Sequence, residues 1–128
     1  MKKLTPVVYV EEIEPVLPFW VDRLGFERAV EVPEGDRLGF VILQKGGVEV
    51  MYQSRASVRN DLPELASTPM GGSLLFIEVE DLDAVVGALD GVEPVVPRRQ
   101  TFYGADELIV REPAGNVVTF ARFASEPA

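Results

Sequence analysis

Cysteine and histidine are both missing from the 128-residue chain. Without a thiol there is no disulfide, no thiolate nucleophile and no zinc–thiolate site. Without an imidazole there is no histidine-based catalytic triad and no histidine-ligated transition metal. Carboxylate, hydroxyl and amide oxygens are the ligands that remain, so the chain leaves open only a hard cation such as Mg²⁺ or Ca²⁺. We expect no bound cofactor.

Positive charge and long apolar runs are also scarce. Lysine and arginine number 12 against 21 acidic residues, which gives a net charge of −9. Such a field repels nucleic acid and attracts cations. No apolar run is long enough to cross a membrane, and the start, MKKLTPVVYVEE, lacks the cleavage site of a signal peptide. We therefore expect an acidic, cytoplasmic protein with no nucleic-acid or membrane partner.

The chain repeats itself once. At an offset of 69 residues, VYVEEI from Val8 falls on IEVEDL from Ile77, and Gly46 falls on Gly115. A repeat this long that occurs only twice predicts two fused modules within one domain rather than a solenoid. The modules span residues 1–53 and 73–123, and a polar linker rich in proline and glycine spans 54–72.

Each half has the pattern β-α-β-β-β. The first strand, Leu4–Val10, is followed by a helix that opens at Glu14-Pro15, where proline is tolerated, and ends at Gly25. In the second half, Asp81 is the expected N-cap of the helix. One helical turn is expected in the linker, around Leu62–Ala66. The other strands are predicted at residues 26–32, 37–44, 48–53, 73–79, 92–97, 107–111 and 117–123.

Two passages are similar to motifs of the vicinal oxygen chelate superfamily, which contains glyoxalases, bleomycin-resistance proteins and extradiol dioxygenases. FWVDRLGF, at 19–26, resembles the first-helix motif, and REPAGNVVTF, at 111–120, resembles the hairpin before the last strand. The stretch YGADELIVREPAGN resembles the bleomycin-resistance proteins more than the metalloenzymes. The resemblance implies an α+β fold, in which two tandem βαβββ modules form a U-shaped, partly open eight-stranded mixed sheet with helices on its outer face.

The same resemblance locates the metal ligands of the metal-dependent members in the first and last strands of each module. Those positions here are Thr5, Val50, Leu74 and Thr119, whose aliphatic and neutral hydroxyl side chains are poor ligands. A shift of one residue would put Glu49 in place of Val50 and flip the faces of the strand. The resemblance therefore favours a metal-free binding protein, like the bleomycin-resistance proteins, which are dimers that sequester a cationic drug.

Strand alternation extends the predicted ligand-binding face, because residues two positions apart point to the same side of a strand. It predicts an apolar and aromatic inner face suited to a flat or hydrophobic molecule. The further candidates on this face are Val7, Tyr9, Tyr52, Phe76, Glu78 and Ala121. The opposite set, expected to pack beneath the helices, is Val8, Val10, Leu75, Ile77 and Val79. A role in the core is the alternative for the aromatic candidates, including Phe76 and Tyr52.

The segment before the seventh strand supplies another candidate. Phe102-Tyr103-Gly104 stands where the resemblance implies an aromatic residue at the drug cleft, so we predict that Tyr103 stacks on the ligand. Asp106 and Glu107 follow closely and are able to meet a positive ligand group, with a solvated loop face as the alternative. Arg98-Arg99 is interpreted as a solvated pair rather than an anion site.

Other function classes remain open. One is a glyoxalase- or dioxygenase-like enzyme that uses Glu78 or Glu107 as a base, or an atypical oxygen-ligated metal site. Another is a structural or regulatory module that binds a partner protein. The ligand expected for the binding protein is a small molecule, cationic or aromatic. Unpaired sheet edges and the resemblance together imply a twofold homodimer, and Pro6 predicts an edge or crossing position for the first strand.

Overall fold

The chain has an α+β fold, as predicted. Its structure, a computed structural model, describes residues 1–124. The fold contains two four-stranded mixed sheets. The chain divides into two compact units, with the boundary between Ser73 and Leu74, and each unit contains one of the sheets.

The first sheet is formed by β1 (Val7–Val10), β2 (Glu27–Glu34), β3 (Arg37–Lys45) and β4 (Val48–Ser54). Its strand order is β1-β4-β3-β2. β1 runs parallel to β4, and the other two pairs are antiparallel. β1 is therefore an edge strand, as Pro6 predicted. The carbonyl of Pro6 accepts a hydrogen bond from the N–H of Met51 at 3.0 Å.

The continuous helix predicted from Glu14 to Gly25 is wrong in its detail. A 3₁₀ turn spans Glu14–Val16, and a π-helix spans Pro18–Arg23. Each begins with a proline in its first two positions, and proline has no N–H to donate to a continuous helical ladder. Gly25, at a φ of +78°, ends the segment as expected.

Trp20 is the centre of the first unit's core. It is fully buried, and its ring meets Phe19 and Phe26 edge to face, with centroid distances of 5.1 and 4.9 Å. Its indole Nε1–H donates to the hydroxyl of Tyr52 at 2.9 Å. The two polar atoms that these large side chains carry into the core thus satisfy each other.

A short helix that the sequence did not predict follows β4. We label it α1, Arg55–Asp61. The Oγ of Ser54 caps it by accepting from the N–H of Ser57 at 3.2 Å. Only Val58 of this helix is buried, so it lacks the apolar periodicity by which longer helices are recognised. The helical turn expected in the linker is a 3₁₀ turn at Pro63–Leu65.

The second sheet is formed by β5 (Leu74–Glu78), β6 (Pro94–Gln100), β7 (Ala105–Arg111) and β8 (Val117–Phe123). Its order is β5-β8-β7-β6, with β5 parallel to β8. The helix α2, Leu82–Ala88, packs against β7 and β8. As predicted, Asp81 caps it, because its Oδ1 accepts from the N–H of Ala84 at 3.0 Å. No helix within residues 1–124 is both long and apolar enough to span a membrane.

One side of each sheet carries the buried core. In the first sheet the side chains on this side are Val8, Val10, Val41, Leu43, Val50 and Tyr52, and in the second they are Leu108, Val110, Val118 and Phe120. We call this side the covered face of each sheet and the opposite side its free face. The free faces carry the side chains that are available for a ligand.

Candidate ligand-binding site

Four exposed aromatic side chains meet at the free face of the second sheet. Phe76 lies on β5, Phe123 on β8, and Phe102 and Tyr103 in the loop before β7. The ring centroids are 6.3 Å apart for Phe76 and Phe123, 6.0 Å for Tyr103 and Phe123, and 5.1 Å for Phe102 and Tyr103. The four residues, which we call the aromatic cluster, are 37% to 100% exposed. Contiguous exposed apolar surface of this kind marks binding sites.

A buried carboxylate is hydrogen-bonded to a member of the aromatic cluster. Glu107, on β7, is only 2% exposed, and its Oε2 accepts a hydrogen bond from the Tyr103 hydroxyl at 2.7 Å. Its Oε1 accepts from Nε and Nη2 of Arg99 at 2.9 and 2.7 Å. Both oxygens of Glu107 therefore have partners within the protein. The hydrogen bond to Glu107 raises the pKa of Tyr103, and burial of the hydroxyl adds to the shift.

The adjacent arginines of β6 project to opposite sides of the second sheet. Arg99 pairs with Glu107 on the free face. Arg98 instead joins Asp106 of β7, at 2.9 Å, to Asp83 of α2, at 2.6 Å. Hydrogen bonding to Arg98 lowers the pKa of Asp106. Both arginines are thus ion-paired, and 41% and 52% of their side-chain surfaces remain exposed, so the interpretation of a solvated pair omitted the carboxylates that hold them.

β6 reaches this arrangement through an irregular register. Its pairing with β7 shifts between Pro94 and Val96 and again between Val96 and Arg99. Each shift adds one residue to β6 relative to its partner, which is the signature of a bulge. The second shift sets which of the two arginines faces Glu107.

The free face of the first sheet is apolar but mostly aliphatic. Tyr9 lies on it opposite Gln53, and Met51 lies opposite Ile42. Phe40 is the second aromatic residue there, also opposite Gln53. Further residues on this face are Val7, Val30 and Val32.

A polar corner closes one end of this face. The Oε1 of Glu49 accepts from the Thr5 hydroxyl at 3.1 Å and pairs with the Lys3 ammonium at 2.9 Å. Gln44 donates to the other carboxylate oxygen. The hydrogen bond from Lys3 is the largest cause of a lowered pKa at Glu49, followed by that from Gln44. This carboxylate, too, is neutralised within the protein.

The face predicted for Val50 and Tyr52 is wrong. Tyr52 pairs directly with Val8 in the parallel β1–β4 register, and all three residues are buried on the covered face. Glu49 and Met51 occupy the free face in their place. Of the two roles considered for Tyr52, the structure places it in the core, beneath Trp20.

The length of the hairpin turns explains this error. Lys45 pairs with Val48 across a two-residue turn, whereas Arg111 pairs with Val117 across five intervening residues. Because the two turns differ by an odd number of residues, one sequence offset cannot preserve the facing of both hairpin strands. Matching the turn glycines therefore assigned β4 to the wrong face.

The faces predicted for the parallel pair of the second sheet are confirmed. Leu74, Phe76 and Glu78 of β5 lie in register with Val117, Thr119 and Ala121 of β8, on the free face. In the first sheet, Val7 and Tyr9 also lie on the free face, and Thr5 contacts it through Glu49. A role of these residues in ligand binding stays a prediction.

Several free-face residues were missed. Phe40 and Ile42 lie in the uninterrupted apolar run LGFVIL, and such a run indicates a strand with apolar side chains on both faces. That signal was available in the sequence. Phe123 and Arg99 had none, because their placement depends on β8 reaching the cluster and on the bulges of β6.

Comparison with known proteins agrees with this architecture. The family model of the Glyoxalase/Bleomycin resistance protein/Dioxygenase superfamily matches residues 4–120. The chain belongs to this superfamily. No curated protein sequence matches it.

Several solved structures share the superfamily fold with this chain. A bleomycin-binding protein from Streptomyces verticillus, complexed with copper(II)-bleomycin, is 26% identical; the match covers 98% of each chain, with a TM-score of 0.64. TnmS3, an antibiotic-binding protein from Streptomyces sp. CB03234, is 18% identical over 95% of this chain and 97% of its own, with a TM-score of 0.68. A glyoxalase/bleomycin resistance protein/dioxygenase from Nocardioides is 17% identical over 100% of this chain and 89% of its own, with a TM-score of 0.71.

The superfamily includes metal-dependent enzymes, and the side chains at its metal-ligand positions in this chain offer few donor atoms. In the first sheet, Thr5 and Glu49 come together, but an ammonium group from Lys3 already pairs with that carboxylate. In the second sheet, Leu74 lies beside Val117 and offers no donor atom. Within residues 1–124, no three acidic side chains are grouped so that they could hold a metal ion. These donors do not fit the metal site of the superfamily.

Proposed function

We propose that the protein binds and sequesters a flat, aromatic small molecule, without a metal ion and without chemical turnover. The observation that carries this proposal is the aromatic cluster, four exposed rings joined by three successive ring contacts at one sheet face. Rings offset or tilted at such distances provide stacking surfaces for a further ring. Leu74 is 80% exposed on the same face and adds apolar area beside Phe76.

The relatives support binding rather than catalysis. One similar structure is a bleomycin-binding protein and another is an antibiotic-binding protein. The carboxylates on the two free faces, Glu49 and Glu107, are each paired with a cation of the same chain. A carboxylate held in such a pair is a poor general base, because the paired cation stabilises the ionised form that would have to accept the proton.

A ligand screen tests the proposal. Thermal unfolding of the protein is measured with bleomycin and with a set of aromatic metabolites, before and after exhaustive dialysis against EDTA. We expect at least one flat aromatic compound to raise Tm in a concentration-dependent way, since ligands that bind only the folded state stabilise it. The stabilisation should survive chelation. Loss of binding after chelation, or absence of binding in the whole set, contradicts the proposal.

Variants locate the binding face. Tyr103→Ala and Phe76→Ala should each weaken the ligand-induced shift in Tm, because each removes a ring of the aromatic cluster. Leu65→Ala is the matched control, since Leu65 is similarly exposed, at 44%, but lies in the 3₁₀ turn of the first unit. Full ligand-induced stabilisation in the Tyr103→Ala variant refutes the stacking role.

We further propose that the chain forms a twofold homodimer. β5 and β6 are the edge strands of the second sheet, and the unpaired backbone groups of an edge strand favour association with another chain. Light scattering after size exclusion should give twice the monomer mass of 14.1 kDa at micromolar concentration. A monomeric mass there contradicts this proposal and leaves ligand binding to be judged by the screen.

A glyoxalase- or dioxygenase-like enzyme with an oxygen-ligated metal is the second candidate. The observation in its favour is that Glu49 and Thr5 share one face of the first sheet. Elemental analysis after expression with added metals distinguishes the two candidates. One equivalent of metal per chain, together with glyoxalase-type turnover, would replace the binding proposal.

A further inference from the structure

The interaction between Arg99 and Glu107 leaves part of the arginine available. A guanidinium group has five N–H donors. Oε1 of Glu107 accepts from Nε and Nη2 of Arg99 and so occupies one edge of the group. The Nη1 and Nη2 hydrogens on the remaining edge have no acceptor among residues 1–124, and the Arg99 side chain is 52% exposed. Arg99 thus combines a fixed orientation with free donors.

The free donors lie close to the aromatic cluster. Tyr103, a member of the cluster, and Arg99 contact the two oxygens of one carboxylate, at 2.7 Å each for the shortest contacts. A ring that stacks on Tyr103 is therefore within one molecular width of the guanidinium group. A substituent at the edge of that ring is the part of a ligand that would meet Arg99.

Charge decides which substituent fits. A cationic group would have to displace Arg99 from Glu107, whose oxygens are both engaged. An anionic group would meet a guanidinium whose charge Glu107 already compensates, in a chain with a net charge of −9. A neutral oxygen acceptor suffers neither penalty and still receives a charge-assisted hydrogen bond.

We propose that Arg99 determines ligand specificity on this face, and that the ligand is an uncharged, flat aromatic molecule carrying a carbonyl oxygen at its ring edge. The proposal rests on the proposed function, because it assigns the ligand class of the same site. Glu107 acts as a positioning residue that holds the guanidinium group, and Arg99 contacts the ligand directly. This ligand class differs from the cationic ligand that the acidic composition indicated.

Four probes with one ring system separate the alternatives. 2-Acetylnaphthalene carries a neutral carbonyl group, 2-naphthoate an anion, 2-naphthylmethylammonium a cation, and 2-ethylnaphthalene no acceptor. Equilibrium dialysis gives Kd for each with the full-length protein. We expect 2-acetylnaphthalene to bind about tenfold more tightly than 2-ethylnaphthalene, as one charge-assisted hydrogen bond implies, and more tightly than either ion.

Three variants test the role of Arg99. Arg99→Gln should reduce the preference for the carbonyl probe over 2-ethylnaphthalene to about one- to twofold. This remaining preference is what an uncharged hydrogen bond from the glutamine amide would contribute. Because that variant leaves Glu107 buried without its cation, the double variant Arg99→Gln/Glu107→Gln makes the same test with a neutral pair. Arg98→Gln is the matched control, since Arg98 points to the covered face, and it should keep the full preference.

The wild-type protein offers a readout that needs no variant. Titration with 2-acetylnaphthalene should shift the NMR resonances of the Arg99 guanidinium hydrogens, while 2-ethylnaphthalene should leave them in place. Three outcomes would overturn the inference: equal affinity for these two probes in the wild type, tightest binding by either ion, or a preference that persists in both Arg99 variants. Each would leave the proposed binding of an aromatic ligand to this face intact. Failure of all four probes to bind overturns the proposed function with it.

Discussion

The two sheets share one strand order but present different chemistry on their free faces. The first offers mainly aliphatic side chains, with Glu49 at a polar corner. The second offers the aromatic cluster around the buried Glu107. Each carboxylate has a cation of its own, a flexible lysine in the first sheet and a planar arginine fork in the second. The duplicated topology thus supports two faces that have specialised independently.

The difference also shows which face suits a ligand. Lys3 is a point charge that is 61% exposed, and such pairs contribute little and orient little. Arg99 is held by two hydrogen bonds to one oxygen, so its remaining donors have a defined direction. Preorganised donors beside exposed rings are what a specific small-molecule site requires. The second sheet has both features.

The largest expected effect separates a core aromatic residue from a free-face one. Trp20→Ala should lower the free energy of unfolding by about 3–5 kcal/mol, because it empties a fully buried site. Phe76→Ala, at a residue 54% exposed, should change it by less than about 1 kcal/mol. Urea unfolding measures both. Similar losses in the two variants would mean that Phe76 belongs to a core after all.

The two carboxylates sharpen the comparison next. Glu107→Gln should cost about 2 kcal/mol, because it weakens a buried, charge-assisted pair with Arg99. Glu49→Gln should cost clearly less, since its partner Lys3 is exposed and solvent screens the pair. Unfolding in urea at neutral pH ranks the two variants. A larger loss of stability in Glu49→Gln than in Glu107→Gln would contradict the ranking of the two ion pairs.

The hairpin turns give a smaller contrast. Gly115 in the second hairpin has a φ of +93°, a region that costs a side chain about 1–2 kcal/mol. Gly47 in the first hairpin is not among the glycines with positive φ, and a Cβ there meets nothing within 4 Å. Gly115→Ala should therefore lower Tm while Gly47→Ala leaves it nearly unchanged. Equal shifts in Tm would contradict the requirement for a left-handed backbone at Gly115.

The smallest effect concerns acid stability of the second unit. The pKa of Asp106 is lowered by Arg98, so the folded state gains stability above the ordinary pKa of 3.8. That gain is lost as pH falls through the lower, folded-state value. Asp106→Asn should therefore be less stable than the wild type at neutral pH, with the gap narrowing as pH falls below the ordinary pKa of 3.8. A gap that stays constant from neutral to acid pH contradicts the ion-pair assignment.

Much of the fold follows from local signals in the sequence. The repeat, the turn glycines and Pro6 predicted two βαβββ modules and an edge position for β1. Alternation alone assigned Leu74, Phe76 and Glu78 to one face. These predictions succeed because they rely on residues next to each other in the chain or on an obligatory period of two.

Most of the wrong or missing predictions share a physical cause. The facing and the register of a strand depend on how it pairs with its neighbours, and the sequence of a single strand does not determine them. The facing of β4 depends on the turn that precedes it, so Tyr52 was misplaced. The helix α1 was not predicted because it buries only Val58 and therefore has no apolar periodicity. The ion pair between Arg99 and Glu107 depends on the register of β6 against β7. It cannot be predicted from the identity of either residue.

The bulges of β6 have a consequence for how this strand can vary. If β6 paired with β7 without the bulge after Val96, Arg98 instead of Arg99 would lie opposite Glu107, and each arginine would project from the other side of the sheet. The tether to Asp83 on α2 and the donor aimed at the aromatic rings would then be exchanged, although every side chain would still be present. The irregular register of β6 thus gives two neighbouring arginines different roles, one tied to a helix and one held beside a ligand-accessible face.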